Sequence, residues 1–254
     1  MATVRVLRLR QVPIVEHLRL EEALMRATKD NWFVINDGTP DPAIVLGISG
    51  KPEELVHTEA AAAAGVPLVK RFTGGGTVLV DQDTIFTGLV MGTRSLPGVE
   101  PFPRPIMRWS EGFFAPAFAS LGAFALREND YVFGELKFGG NAQAISRDRW
   151  VHHTSFLWRF DPARMRLLKQ PARAPDYRRG RAHEAFVRGL EDLGRGRAEL
   201  VESVLDCARQ AGFRCVEESL EGERVQQALR ENKLVSTRVL TSPEVGLESA
   251  LMTA

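Results

Sequence analysis

Apolar and charged positions alternate at the start of the chain. Val4, Val6, Leu7 and Leu9 are interleaved with Arg5, Arg8 and Arg10 ahead of Pro13, a pattern that predicts a first β-strand. The period then changes. Over residues 13–29, Ile14, Leu18 and Met25 share one helical face and Leu20, Leu24 and Ala27 a neighbouring one, with Glu21 interrupting the stripe between them. Apolar runs at 32–36 and 43–48 predict two strands around the turn-rich Asp37-Gly-Thr-Pro-Asp-Pro42. An Ala-rich helix over 58–65 is closed by Gly65. A strand over 66–72, with Pro67 marking its beginning or a sheet edge, runs into Gly74-Gly75-Gly76. Residues 77–80 and 85–91 are predicted as the arms of a hairpin turning at Asp81-Gln-Asp83. A Pro-rich connection (97–105), a long helix (106–121) and a β-rich stretch to Phe160 follow. A basic segment (161–181) and a mostly helical remainder from 197, with a short strand near 213–216, complete the chain. Helices and strands mix without a strict βαβ rhythm, so the fold class is α+β.

Composition narrows the picture. The 254 residues suffice for one large domain, or one domain with a small appendage, and 44% hydrophobic with 26% charged residues is ordinary for a globular chain. A net charge of +1 supplies no global field toward nucleic acid or a membrane surface, and neither is expected as a partner. No apolar run approaches the roughly 20 residues of a membrane span. The two cysteines, Cys207 and Cys215, form no disulfide framework and no metal-ligand spacing. They point to a reducing compartment, cytoplasm or mitochondrial matrix, and not to secretion. The mixed apolar and basic N-terminus leaves a transit peptide open, although the strand reading fits it better.

Three stretches carry candidate chemistry. In Arg71-Phe-Thr73-Gly74-Gly75-Gly76-Thr77-Val78-Leu79, three glycines let backbone amides approach a phosphate or carboxylate, and Arg71 adds a forked donor. The loop lacks the Gly-Lys-Ser/Thr of a Walker sequence, and a strand rather than a helix follows it; a tight loop without a ligand reads equally well. In Asn129-Asp130-Tyr-Val-Phe-Gly-Glu-Leu-Lys137-Phe-Gly-Gly-Asn141, Phe133-Gly134-Glu135-Leu136 predicts a turn between strands, with Lys137 just beyond it. Only six of the 33 Lys and Arg residues are Lys, so a lysine beside Gly139-Gly140 reads as a compact point charge near a ligand, or as a surface hairpin lysine. In Trp150-Val-His152-His153, neighbouring strand residues face opposite ways, so the two imidazoles are poor joint metal ligands. One can face a site while the other bonds in the core.

Taken together, these stretches resemble the lipoate-protein ligase A and lipoyltransferase family, which shares its catalytic fold with biotin protein ligases. The match is an Arg before a Ser/Thr-Gly-Gly-Gly loop, an Asn-Asp pair, Lys-x-x-Gly-x-Ala and a His-His strand, in that order over roughly residues 15 to 165. Tyr177-Arg-Arg-Gly-Arg-Ala-His183 also looks like a stretch of some relatives. The resemblance implies mixed, largely antiparallel sheets with flanking helices, an acyl-transfer catalytic domain over 1–185 and a helical part over 186–254 packed on it. It implies transfer of a lipoyl or octanoyl group to a lysine of a lipoyl-domain or H-protein-like acceptor through an acyl-adenylate. The donors would be lipoate or octanoate with ATP and Mg2+, or preformed lipoyl-AMP. Arg71 and Thr73 to Leu79 would hold the phosphate and the acyl group, with His153 facing the same site. Asn129, Asp130 and Asn141 would shape the pocket. Lys137 would contact acyl carbonyl and phosphate and stabilise the oxyanion by about 3–4 kcal/mol.

The pattern also departs from the family. Val80 stands where relatives commonly have His before the Asp at 81. Family ligases carry a C-terminal accessory domain for which the chain is short, so a separate accessory chain is an expected partner. A related octanoyltransferase reaction with an acyl-carrier-protein donor uses a Cys nucleophile, and Cys207 and Cys215 lie well after the matched motifs, which argues against it. A catalytically silent lipoate-binding protein is the alternative from another class. The basic residues Arg159, Arg164, Arg166, Lys169, Arg173, Arg178 and Arg179 read either as a docking face for an acidic carrier domain or as a solvated loop.

Overall fold

The alternation at the N-terminus becomes strand β1 (Thr3–Arg10) of a sheet covered on both faces. In the computed structural model, which describes residues 2–170 and 174–246, Val4 and Val6 enter one apolar core while Leu7 and Leu9 enter another on the opposite face. Helix α1 (Ile14–Ala27) follows, then β2 (Asn31–Asp37) and β3 (Ala43–Leu46). Two short helices, α2 (Pro52–Leu55) and α3 (Thr58–Ala63), lead to β4 (Leu68–Lys70), β5 (Val78–Val80) and β6 (Thr84–Gly92). Gly65, which ends α3, has φ 67°, the left-handed backbone its placement as a cap demands.

Helix α4 (Pro103–Phe118) precedes a meander of β7 (Phe124–Arg127), β8 (Asp130–Phe133), β9 (Leu136–Ile145) and β10 (Arg149–Leu157). The basic segment holds α5 (Pro162–Met165), and α6 (His183–Phe186) follows it. Helix α7 (Arg197–Gln210), β11 (Arg214–Glu218), α8 (Glu223–Glu231) and the two-residue β12 (Arg238–Val239) complete the described elements.

The larger sheet runs β11-β1-β2-β6-β10-β9-β8-β7, parallel only at β11-β1 and β1-β2. Phe33, Ile35 and Trp150 on one face pack with α4 and α7, and Trp32, Val34 and Val151 on the other with α1 and α8. Strands buried on both faces lose polar alternation, which is why β2 reads as an unbroken apolar run. The smaller sheet is β12-β4-β3-β5. Val45, Val69 and Val80 on one of its faces meet Ile14 and Leu18 of α1, and Ile44, Leu46 and Leu79 on the other meet Leu157, Met165 and Val187.

The predicted hairpin at Asp81–Asp83 does not form. β5 pairs with β3 and β6 with β2 and β10, so the chain crosses between sheets at this point. Asp81 holds the crossing: its Oδ1 accepts the Asp83 amide at 2.9 Å and its Oδ2 accepts from Arg164 at 2.7 Å. The stretch after α6 adds a strand to each sheet, β11 beside β1 and β12 beside β4.

Candidate functional site

A cavity of 520 Å³ opens between the smaller sheet and the β9-β10 side of the larger one. The triple-glycine loop forms one wall. Gly75 has φ 99°, and a Cβ there would stand 2.9 Å from both Ala142 Cβ and Arg71 Nη2, so only glycine fits. Gly76 has no atom within 4 Å of where its Cβ would be, which leaves open space beside the backbone. Arg71 is buried, and its guanidinium mostly holds this loop. Nη2 donates to Gly74 O (2.9 Å) and Gly76 O (2.7 Å), and Nε to Thr73 Oγ1 (2.8 Å). Burial pushes the Arg71 group down to about 10, so it stays charged at neutral pH.

Lys137 stands on the opposite wall, and a β-bulge puts it there. Asp130 pairs with Gly140 and Tyr131 with Gly139, but Val132 pairs with Lys137, leaving Phe138 as the extra residue. Phe138 enters the aromatic core beside Phe133 and Phe118, while Lys137 faces the cavity. The Lys137 backbone is clasped from outside by Val187 and by Arg188, whose amide donates to Lys137 O at 2.8 Å. Its Nζ lies 2.7 Å from Asp130 Oδ1, and Tyr177 OH donates to Asp130 Oδ2 at 2.8 Å. Burial, then the neighbouring carboxylate, raises the Tyr177 hydroxyl above its ordinary value and keeps it protonated as that donor.

Behind the loop runs a buried polar chain that sequence reasoning largely missed. Arg71 Nε donates to Thr73 Oγ1, which bonds His153 Nε2 at 3.3 Å. His153 Nδ1 meets Glu21 Oε2 at 2.9 Å, and Glu21 Oε1 meets His17 Nε2 at 3.1 Å. Burial alone would raise the Glu21 carboxyl, but the imidazoles of His153 and His17 outweigh it and hold it at about 2. Burial lowers His153, Glu21 opposes that shift, and the contact with Glu21 Oε2 places a ring proton on Nδ1. A Cβ on Gly88 would sit 1.8 Å from Glu21 Oε1, so the carboxylate lies flat against a glycine of β6. The signal for Glu21 was its interruption of the apolar stripe on α1: it lies in the seam between the two faces.

His152 faces the other way, as strand geometry requires. Gln143 Nε2 donates to its Nδ1 at 3.0 Å, and its Nε2 lies 3.3 Å from Tyr131 OH, which in turn donates to Ser110 Oγ. Thr154 on the same strand donates to Asn141 Oδ1 at 2.6 Å, and Asn141 Nδ2 donates to the Asn129 backbone O at 3.0 Å, which fixes the Asn141 amide at the cavity wall.

These buried groups set the acid response. Burial pushes His152 down to about 3, and Glu21 is held at about 2. In acid the unfolded chain therefore binds more protons than the folded one. Stability is full above the ordinary imidazole value of 6.5, falls as pH drops from there toward 3, and falls further as Glu21 protonates. Urea midpoints measured from about pH 7.5 down to about pH 4.5 should decline monotonically; a flat profile would contradict the buried network.

Of the residues singled out in the sequence, Arg71, Gly74, Gly75, Gly76, Thr77, Val78 and Leu79 all line the cavity, and so do Asn129, Asp130, Lys137, Asn141 and His153. Thr73 does not: its side chain is buried behind the loop, where it links Arg71 to His153. Cys207 is buried in α7, its thiol raised to about 12 by burial, and neither it nor Cys215 reaches the cavity. Val80 is buried in β5 against α1.

The docking face fares differently. Arg159 pairs with Asp83, Arg164 with Asp81, Arg166 with Glu184 and Arg179 with Glu135, while Lys169 donates to Glu53 O. Arg178 is no surface residue: it is 3% exposed and turned into the cavity wall. Charge reversal there would disturb packing and cannot test docking. Arg173 lies outside the described residues.

Among the described residues no cluster of three or more His, Cys, Asp or Glu could hold a metal, and no helix is long and apolar enough to cross a membrane. The cavity wall carries both polar and apolar features. These are the open backbone at Gly76, an unpartnered buried Thr77 Oγ1, and apolar walls from Leu79, Phe86, Leu157 and Met165.

Comparison with known proteins places the architecture. Residues 13–207 match the model of the lipoyl protein ligase A/B catalytic domain. A protein of Plasmodium falciparum (isolate 3D7) named inactive lipoate–protein ligase 2 is 27% identical over 200 residues, 66% of this chain; the chain spans about half of that relative, 51% of its length. The bipartite lipoate protein ligase of Thermoplasma acidophilum, solved in a study with its E2 lipoyl domain, superposes with a TM-score of 0.78 at 19% identity, covering 97% of this chain and 98% of that one. A lipoate-protein ligase A bound with ATP superposes with a TM-score of 0.75 at 18% identity, covering 97% of this chain and 99% of that one. The fold is that of lipoate-protein ligases, and the chain belongs to the lipoyl protein ligase A/B catalytic domain family.

Proposed function

We propose that this chain attaches a lipoyl or octanoyl group to a lysine of a lipoyl-domain or H-protein-like acceptor by way of an acyl-adenylate. The observation that carries the reading is that Lys137 and the triple-glycine loop face each other across one cavity with an apolar interior. The acyl chain lies along Leu79, Phe86 and Leu157. The carboxyl end and the nucleotide phosphate lie between the open backbone at Gly76 and the Lys137 ammonium. ATP supplies the leaving group: the acyl carboxylate oxygen bonds to the α-phosphorus and pyrophosphate departs. The acceptor amine then attacks the acyl carbonyl, AMP departs, and the amine loses a proton as the amide forms. Lys137, held by Asp130, places its charge where the carbonyl oxygen turns negative. Mg2+ would enter with the nucleotide, on its phosphate oxygens, since both oxygens of Asp130 are taken by Lys137 and Tyr177.

ATP and lipoate are the ligands this reading assigns, supported by the ATP-bound neighbour. A lipoyl-domain acceptor and a separate accessory chain are supported by the bipartite archaeal ligase and its E2 domain. We assign the catalytic unit to residues 1–185 and a supporting role to 186–254. A silent binding protein is the competing reading, favoured by the relative named inactive. Transfer to a lipoyl domain, assayed with lipoate plus ATP, synthetic lipoyl-adenylate and octanoyl-carrier protein in parallel, with and without an accessory chain, separates them. The reading predicts transfer from at least the adenylate. Tight binding of all donors without transfer would establish the silent protein.

A further inference from the structure

Arg178 is the charged residue whose position the reaction as described leaves unexplained. It is 3% exposed, yet it lines the cavity. Its Nε donates to Arg181 O at 2.8 Å, and its guanidinium carbon lies 5.0 Å from the centre of the Phe186 ring, so the fork is held from behind and on one face. Its Nη2 is buried and has no hydrogen-bond partner among the described residues. A buried guanidinium N–H left unpaired is costly unless something else accepts it. Among the described residues no carboxylate forms a salt bridge with it; the nearby Asp130 gives its two oxygens to Lys137 and Tyr177. His183 on the same wall is pushed down to about 4 by burial and by the charges of Arg178 and Lys137, so it is neutral and leaves two cations facing one carboxylate.

We propose that Arg178 is a phosphate-binding residue: its free Nη2 donates to a phosphoryl oxygen of the nucleotide, either on the phosphate joined to the acyl group or on the departing pyrophosphate. A guanidinium fork matches phosphoryl oxygens, and a phosphate placed between Arg178 and Lys137 would meet the wall's excess of positive charge. The segment 175–183, which carries Arg178, is thus part of the binding wall rather than a face for a carrier domain. Arg181, in the same segment, supports it by donating to Arg178 O at 3.0 Å and Tyr177 O at 2.8 Å.

This inference rests on the adenylate reading, and the test separates the two. The full chain is titrated calorimetrically with AMP, with inorganic pyrophosphate and with lipoate, as wild type, Arg178→Gln and Arg178→Lys. The expected result is a rise of about 10- to 100-fold in the Kd for AMP or pyrophosphate in Arg178→Gln, the loss of one charge-assisted hydrogen bond. Arg178→Lys should show a smaller rise, and lipoate binding should stay within about twofold. Whichever phosphate ligand responds identifies the source. Equal phosphate binding by wild type and both variants overturns the role of Arg178 and leaves the adenylate reading standing. A wild-type chain that binds lipoate but neither phosphate ligand overturns both. If Arg178→Gln fails to fold by circular dichroism, Arg178→Lys alone decides, since it keeps the charge and the stem.

Discussion

Replacing Lys137 by Ala should lower the single-turnover rate of acyl transfer from lipoyl-adenylate by about 10²–10³-fold, the range for removing one preorganised oxyanion donor. The fold should survive. Lys137 sits at a cavity wall, and its backbone bonds to Val132 and Val187 do not depend on the side chain. The near-ultraviolet dichroism of the variant should therefore match wild type. The loss should appear in the rate at saturating donor. A folded variant that transfers at the wild-type rate would remove Lys137 from the chemistry. Gly140 offers an independent check, because a Cβ there would stand 3.3 Å from Lys137 Nζ. Gly140→Ala should displace the amine and cost rate without removing its charge.

The second large effect is on stability. Glu21 is fully buried and accepts from two imidazoles while its charge offsets that of buried Arg71. Glu21→Leu should lower the free energy of unfolding by about 3–5 kcal/mol, the usual cost of stripping a buried charge of its partner. Glu21→Gln, which keeps the shape and one acceptor, should fall between. Urea unfolding at neutral pH reads the difference directly. A Leu variant as stable as wild type would show that Arg71 and the two histidines are satisfied without it. The effect should also reach the site, since the chain from Glu21 through His153 and Thr73 ends on the guanidinium that holds Gly74 and Gly76.

Much of this arrangement is legible in the sequence because it is local. The strands and helices follow hydrophobic periodicity, Gly65 caps a helix by its φ, and the glycine loop, Asn-Asp pair and lysine form an ordered series that a family resemblance joins. What sequence reasoning missed depends on long-range pairing. Residues 77–91 read as a hairpin because two apolar runs flank a turn. Yet β5 and β6 bury different faces in different sheets, a choice made by β3 and β10 and invisible in the segment itself. Lys137 reads equally as a surface residue because the bulge that turns it inward exists only in the register of β8 against β9. Arg178 and Arg179 look alike in a basic stretch, but one is buried over Phe186 and the other is exposed beside Glu135. Charge density alone carries no information about which side chain turns inward.

The central claim is that the space between the glycine loop and Lys137 holds an activated acyl group and hands it to a lysine. Incubating the full chain with synthetic lipoyl-adenylate and a lipoyl domain, then weighing the domain by intact mass spectrometry, tests it most directly. The account predicts that the acceptor gains one lipoyl group at a single lysine, at a rate far above the reaction without enzyme. An acceptor left unmodified by a folded chain that binds the adenylate, with or without an accessory chain, would contradict it.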